Sequence, residues 1–351
     1  MSTFRSDRTH FVELTALLIA ALITTSCRGS GANTSSLTPV RIALTNIPAT
    51  FLPVILAQEL GYYGQEKLSV TIDDFSSSSK VMQALLAGSA DVAAGVYEQD
   101  IQVAAEGRRV KAFVLMLQHS SRVLVANPKR AQAIHRIEDL KGATVGVAGL
   151  GSPNHLFLNY VLLKHGMSPE DVKPVGIGTA ASAVAAMLHS QVDAAVLSGS
   201  ESVMARRQVP GLVTLLDARG TSGARNVYGA DVYPNSVLQA TDTWLHDHPD
   251  TARRVARSIQ RALYWIREHS AEEVLAAVPE RYRLVDREAD LETLRIAVPS
   301  FSPDGVMPVQ GAEAVRRSQA FILEKVQRAT FDLSQTYTNE FLQTPQQGDQ
   351  H

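Results

Sequence analysis

From Val40 onward, short apolar runs rich in β-branched residues alternate with longer segments whose apolar positions recur at helical spacing. The short runs predict strands at 40–44, 70–73, 91–94, 110–117, 123–126, 144–148, 172–176, 194–197 and 213–216. Between them the spacing predicts helices at 52–59, 80–87, 101–106, 154–164, 180–189 and 202–208. Strand and helix taking turns implies βαβ units and largely parallel sheets covered by helices on both faces. Beyond Ala240 the strand signal fades and helices are expected at 241–246, 250–268, 271–277, 288–297 and 311–328. Thr241 suits the cap of the first, and Pro249 the opening turn of the second. A helical final third of this kind should pack on an existing sheet. The polar residues 344–351 predict a frayed tail.

The N-terminal pattern is different. Arg5 and Arg8 precede an uncharged run, 14–26, that ends at Cys27, the single cysteine of 351 residues. The run is too short for a spanning helix, which needs about 20 apolar residues, and reads as an export signal over 1–26. Ile23, Thr24, Thr25, Ser26 and Cys27 resemble a bacterial lipobox, although Thr24 stands where leucine is commoner. That resemblance implies lipidation of Cys27, with the Gly/Ser/Asn/Thr-rich stretch 27–39 as a flexible tether. The expected location is outside the cytoplasm, in a bacterial periplasm or at the outer cell surface, anchored to a membrane through the lipid.

Composition narrows the function classes. A net charge of −2 offers no field for phosphate backbones, so nucleic-acid binding is not expected. About 325 residues beyond the signal, in a chain 45% hydrophobic, bury a large core and favour two lobes. One cysteine cannot form an internal disulfide, so burial must supply the stability.

The α/β region repeats its own layout. Each half runs strand, loop, helix, strand, capped helix, and ends in a short turn, an aspartate and a small-residue strand: Ala87-Gly88-Ser89-Ala90-Asp91-Val92 in the first, His189-Ser190-Gln191-Val192-Asp193-Ala194 in the second. Two such units side by side direct strand C-termini and helix N-termini toward a shared cleft.

Pro53 to Gln65, with Ala57, Glu59 and Gly61-Tyr62-Tyr63, then Leu68-Ser69-Val70-Thr71-Ile72, resembles a segment of extracytoplasmic solute-binding proteins of the sulfonate, nitrate and taurine type. That family also holds binders of thiamine-pyrimidine precursors. Ala84-Leu85-Leu86-Ala87-Gly88-Ser89-Ala90-Asp91-Val92, Ile137-Glu138-Asp139-Leu140-Lys141-Gly142 with Val145-Gly146-Val147, and Gln191-Val192-Asp193-Ala194-Ala195 continue the resemblance in order. It implies an α/β, two-lobed, periplasmic-binding-protein-like clamp with two crossing strands and the helical C-terminal region packed on lobe one. Lobe one would comprise 40–118 plus 234–343 and lobe two 119–233, with hinges near 118–122 and 228–234. The implied partners are a small-molecule solute and an ABC permease with its ATPase, and the expected state is a monomer.

Candidate ligand-binding residues follow from where helices begin. Gly149-Leu150-Gly151-Ser152-Pro153-Asn154 joins a strand to a helix; Ser152 suits the cap, and the free N–H groups around Gly151 suit an anionic or polar group. The same turn also reads as a plain capped corner. Ser76 to Ser79, with Ser77 and Ser78 the central candidates, face the same choice between ligand wall and solvated loop. Thr179 caps a third helix, and Asn46 ends the first strand. Tyr97-Glu98 and Ser200-Glu201 follow matching strands, so the two glutamates suit an amine-bearing ligand or simply a helix's first turn. Tyr97 can stack on a planar ligand or anchor packing.

Motifs for chemistry are missing from the sequence: no G-x-S-x-G, no H-E-x-x-H, no complete P-loop. No metal, cofactor or catalytic residue is expected, and the chain reads as a non-enzyme. Its expected role is capture of a small sulfonate- or taurine-like solute between lobes for delivery to the permease. The alternatives are a ligand-sensing domain serving a separate receptor, or a binder of a heteroaromatic pyrimidine precursor.

Overall fold

The computed structural model describes residues 37–45, 49–129, 133–284 and 286–343. Its ten strands are β1 (Thr38–Thr45), β2 (Leu68–Phe75), β3 (Val92–Val96), β4 (Val110–Leu115), β5 (Val123–Ala126), β6 (Thr144–Val147), β7 (Lys173–Gly176), β8 (Ala194–Leu197), β9 (Val213–Asp217) and β10 (Ser236–Thr241). They form two five-stranded sheets, in the orders β2-β1-β3-β10-β4 and β7-β6-β8-β5-β9. Both sheets lie in one compact unit of the chain.

Each sheet is parallel apart from one strand. In the first, β1 runs parallel to β2 and β3, and β10 lies antiparallel to both β3 and β4. In the second, β6 runs parallel to β7 and β8, and β5 lies antiparallel to both β8 and β9. β5 and β10 follow the two segments that cross between the sheets, so each arrives from the opposite direction to its neighbours. The crossing segments run side by side: the Tyr233 and Asn235 N–H groups donate to the Gln118 and Leu117 carbonyls at 3.0 and 2.8 Å. Periodicity gives no strand over 236–241, because every residue of Ser236–Ala240 is buried and no polar alternation marks it. Gln239 is its one long polar side chain, and its amide fills the space beside Gly95, where a Cβ would come within 2.0 Å of it.

Serine caps open the helices after Ser77 and Ser152, whereas Ala181–Leu188 has Ala180, not Thr179, at its cap position, with no side-chain cap bond. Ser77 Oγ accepts the Lys80 N–H, opening the helix Ser78–Leu86, and Ser152 Oγ accepts the His155 N–H, opening Pro153–Lys164. A cap of this kind contributes about 1 kcal/mol. The helix Pro249–Glu268 buries Val255, Ile259, Leu263 and Ile266 at three- to four-residue spacing and packs against Leu52–Glu59. The final third is not confined to the first sheet. Arg287–Ala297 packs on Gly199–Gln208, and Val309–Ile322 packs on both Tyr97–Ala105 and Pro153–Lys164. No helix among the described residues is long and apolar enough to cross a membrane.

Candidate ligand-binding cleft

Open α/β sheets bind ligands beyond the carboxyl ends of their strands, and both sheets point those ends at one cavity of about 380 Å³. Thr45, Phe75 and Val96 end β1, β2 and β3 on one wall; Ala148, Gly178 and Ser198 follow β6, β7 and β8 on the other. Phe51 adds a second aromatic to the first wall.

Helices that begin at this cavity include Ser78–Leu86, Pro153–Lys164, Ala181–Leu188 and Gly199–Gln208. The first turn of a helix carries N–H groups without intrahelical partners and a partial positive charge, so these starts favour an anionic group. Thr45 Oγ1 points the same way, because Thr45 is only 6% exposed, lines the cavity and has no hydrogen-bond partner for its hydroxyl.

Glu201 lines the cavity with both carboxylate oxygens engaged. Oε1 accepts the Ala180 N–H at 2.6 Å and Oε2 the Ser198 N–H at 2.7 Å. Burial pushes the carboxyl above its ordinary range despite these two bonds.

Glu98 is engaged as well. Arg122 donates to its two oxygens at 2.8 and 2.7 Å, and Tyr233 donates to Oε1 at 2.9 Å. Arg122 and Glu98 are 3% and 4% exposed, and Arg122 borders the cavity next to Asn154, whose Oδ1 accepts its Nε–H at 3.4 Å. Burial alone would lower the guanidinium's pKa, but Glu98 beside it holds it above its ordinary value. The pair bridges the sheets: Glu98 lies in the helix after β3, Arg122 just before β5.

The family model described as NMT1/THI5 like matches residues 49–273, well over half of the chain. The chain belongs to the NMT1/THI5-like family. Its relatives include YtlA of Bacillus subtilis, 24% identical over 282 residues, 78% of this chain and 80% of that one. The 4-amino-5-hydroxymethyl-2-methylpyrimidine phosphate synthase of Schizosaccharomyces pombe is 26% identical over 155 residues, covering 44% of this chain and 43% of the synthase. A structure from Bordetella bronchiseptica RB50 superposes with a TM-score of 0.80 at 30% identity, over 87% of this chain and 95% of that one. The alkanesulfonate-binding protein SsuA from Xanthomonas axonopodis pv. citri, solved with MOPS bound, superposes at 0.66 and 17% identity, over 84% and 95%. The chain therefore has the periplasmic-binding-protein fold.

Within this NMT1/THI5-like chain, the residues singled out by sequence are placed as follows. Ser77, Ser78, Ser152, Thr179 and Glu201 line the cavity. Gly151 sits between lining residues Leu150 and Ser152, at φ +77°, and its N–H donates to His155 Nδ1 at 2.9 Å. Ser200 borders a separate cavity of about 30 Å³ with Arg219 and Thr293. Tyr97 does not reach the cleft: its ring is fully buried, its hydroxyl is 2.6 Å from Thr336 Oγ1, and it meets the Tyr337 ring edge-on. Glu98 is turned into the Arg122 pair instead of facing a ligand. Asn46 and Cys27 lie outside the described residues. Sequence reading passes over Thr45, Phe51 and Arg122. Thr45 and Phe51 flank the end of the first strand and were within reach of that signal; Arg122 had none, since its partner is fixed by the crossing of the chain. Among the described residues no group of His, Cys, Asp and Glu is arranged to hold a metal ion.

Proposed function

We propose that this protein is the solute-capturing component of an ABC importer and takes a small organic anion with an uncharged apolar body, such as an alkyl or aryl sulfonate. The observation that carries the ligand class is the polarity of the cavity. The first-turn N–H groups of the helix starts other than those Glu201 accepts, and an unpartnered Thr45 hydroxyl, offer hydrogen-bond donors, whereas the carboxylates of Glu98 and Glu201 are each spent on protein partners. Among the described residues an ammonium group such as taurine's finds no free carboxylate there. Phe51 and Phe75 give the apolar body a wall, and about 380 Å³ is far more than an inorganic anion needs. Superposition with the alkanesulfonate-binding SsuA supports the importer role.

The mechanism is closure of two lobes, 40–118 plus 234–343 and 119–233, about the paired crossing segments, with the closed form recognised by the permease. A ligand favours closure only by contacting both walls. The lipid on Cys27 would hold the protein at the membrane. A second reading, capture of a heteroaromatic pyrimidine, is favoured by the kinship with the Schizosaccharomyces pombe synthase and by the same two phenylalanines.

Thermal unfolding of the form lacking residues 1–26 with Cys27→Ser, screened against butanesulfonate, benzenesulfonate, taurine, nitrate and aminopyrimidines, tests these readings. A ligand at 100 times its dissociation constant adds about 2.7 kcal/mol. Stabilisation by the two amine-free sulfonates and little by taurine or nitrate is the expected result; stabilisation by the pyrimidines alone would establish the second reading.

A further inference from the structure

Among the described residues, Arg122 is the one cationic side chain bordering the cavity, and it is already neutralised. Its two terminal nitrogens donate to the two oxygens of Glu98, a fork-on-fork geometry that holds a carboxylate in place of an incoming anion. Glu98 is kept there by a third donor, the Tyr233 hydroxyl, which itself lies 2.6 Å from Ser318 Oγ and whose ring stacks on Tyr228 at 3.5 Å between centroids. Three chain segments thus converge to hold one carboxylate against one guanidinium at the edge of the ligand site.

We infer that Glu98 sets how tightly the cleft holds an anion, by cancelling the charge of Arg122 so that ligand is held by helix starts and hydroxyls and can still be surrendered. This inference rests on the anion reading above and deepens it. An importer's binding component must release its cargo at the permease, and an unopposed guanidinium at the cavity edge would work against release. Removing the Glu98 charge while keeping its shape leaves Arg122 free to attract the ligand's acidic group.

The test is isothermal titration of butanesulfonate into the parent, Glu98→Gln and Glu98→Gln/Arg122→Gln forms. The expected result is affinity at least tenfold tighter in Glu98→Gln, returning to within about threefold of the parent in the double variant. Tighter binding in the single variant that steepens at low salt marks a charge effect, which a merely structural role would not produce. If the parent binds and the folded single variant binds equally or more weakly, the role of Glu98 is overturned and the anion reading stands. Binding by Glu98→Gln alone supports the role while weakening the parent's proposed ligand; binding by neither overturns both. Should Glu98→Gln fail to fold, Glu98→Met/Arg122→Met replaces the pair by apolar side chains: affinity within about threefold of the parent is expected, and a tenfold loss would show that Arg122 already holds the ligand.

Discussion

The Oε1 atom of Glu201 accepts the Ala180 N–H at 2.6 Å and so fastens the start of one cavity-lining helix to the start of another, twenty-one residues away. Ala180 needs the fastening. Its φ of 53° and ψ of −128° lie where side chains with a Cβ are strained, at a typical cost of about 1–3 kcal/mol. Ala180→Gly should therefore raise stability by about 1 kcal/mol in urea unfolding. Glu201→Ala should cost about 3 kcal/mol, since it leaves two backbone donors unmet.

Glu201 also links binding to pH. Its carboxyl is held above the ordinary range by burial, and an anion arriving beside it favours the protonated form further. Sulfonate affinity should rise as pH falls through the raised carboxyl pKa toward its ordinary range, with proton uptake visible as a buffer-dependent titration enthalpy. A Glu201→Gln form should show neither effect.

The Arg122–Glu98 pair makes an asymmetric stability prediction. Arg122→Gln strands a buried carboxylate and should cost about 3–5 kcal/mol by urea unfolding. A loss under 1 kcal/mol would mean that water reaches Glu98 in the native state.

Two buried groups should shape the stability profile with pH. Burial lowers the pKa of His119, whose Nε2 lies 3.0 Å from the Asp231 carbonyl oxygen across the two crossing segments. The unfolded chain then binds the extra proton first, so this stability is complete above about pH 6.5 and declines as pH falls. Asp100 has the opposite sign. Burial raises its pKa well above the ordinary value, and the Gln239 amide, with its nitrogen turned inward, donates to it at 2.7 and 3.0 Å. The stability associated with its protonated form is present below about pH 4 and is lost as pH rises through the raised native pKa. Asp100→Asn should therefore raise the Tm at pH 8 by a few degrees and leave it nearly unchanged at pH 4, and scanning calorimetry at both pH values checks it.

Thr45→Val separates folding from binding. The Thr45 hydroxyl is buried without a partner, so an isosteric valine should leave stability unchanged or raise it by up to about 1 kcal/mol. Sulfonate affinity should nevertheless fall about fivefold if the hydroxyl meets the ligand, and unchanged affinity would remove Thr45 from the site.

Much of the fold was legible in advance because it rests on local rules. Nine of the ten strands, and the helix starts at Ser77 and Ser152, follow from apolar runs, period and caps within a few residues of one another. The exception, β10, is a buried strand whose identity depends on β3 and β4 on either side. The site divides along the same line. Cavity residues around helix starts, such as Ser78, Ser152 and Thr179, were readable from position alone, although Ala180 and not Thr179 takes the cap position of its helix. The roles of Tyr97, Glu98 and Arg122 were not, because each depends on a partner elsewhere: Thr336 for Tyr97, and Arg122 and Tyr233 for Glu98.

By itself, then, the sequence determined the alternation of strands and helices, the duplicated layout and the places where backbone donors become free, since these arise from side-chain period and capping along the chain. Tertiary structure alone decided which charges remained available to a ligand. A carboxylate's availability depends on what donates to it: the donors to Glu98, Arg122 and Tyr233, lie on the two segments that cross between the sheets, and Glu201 takes the Ala180 N–H from the start of a neighbouring helix.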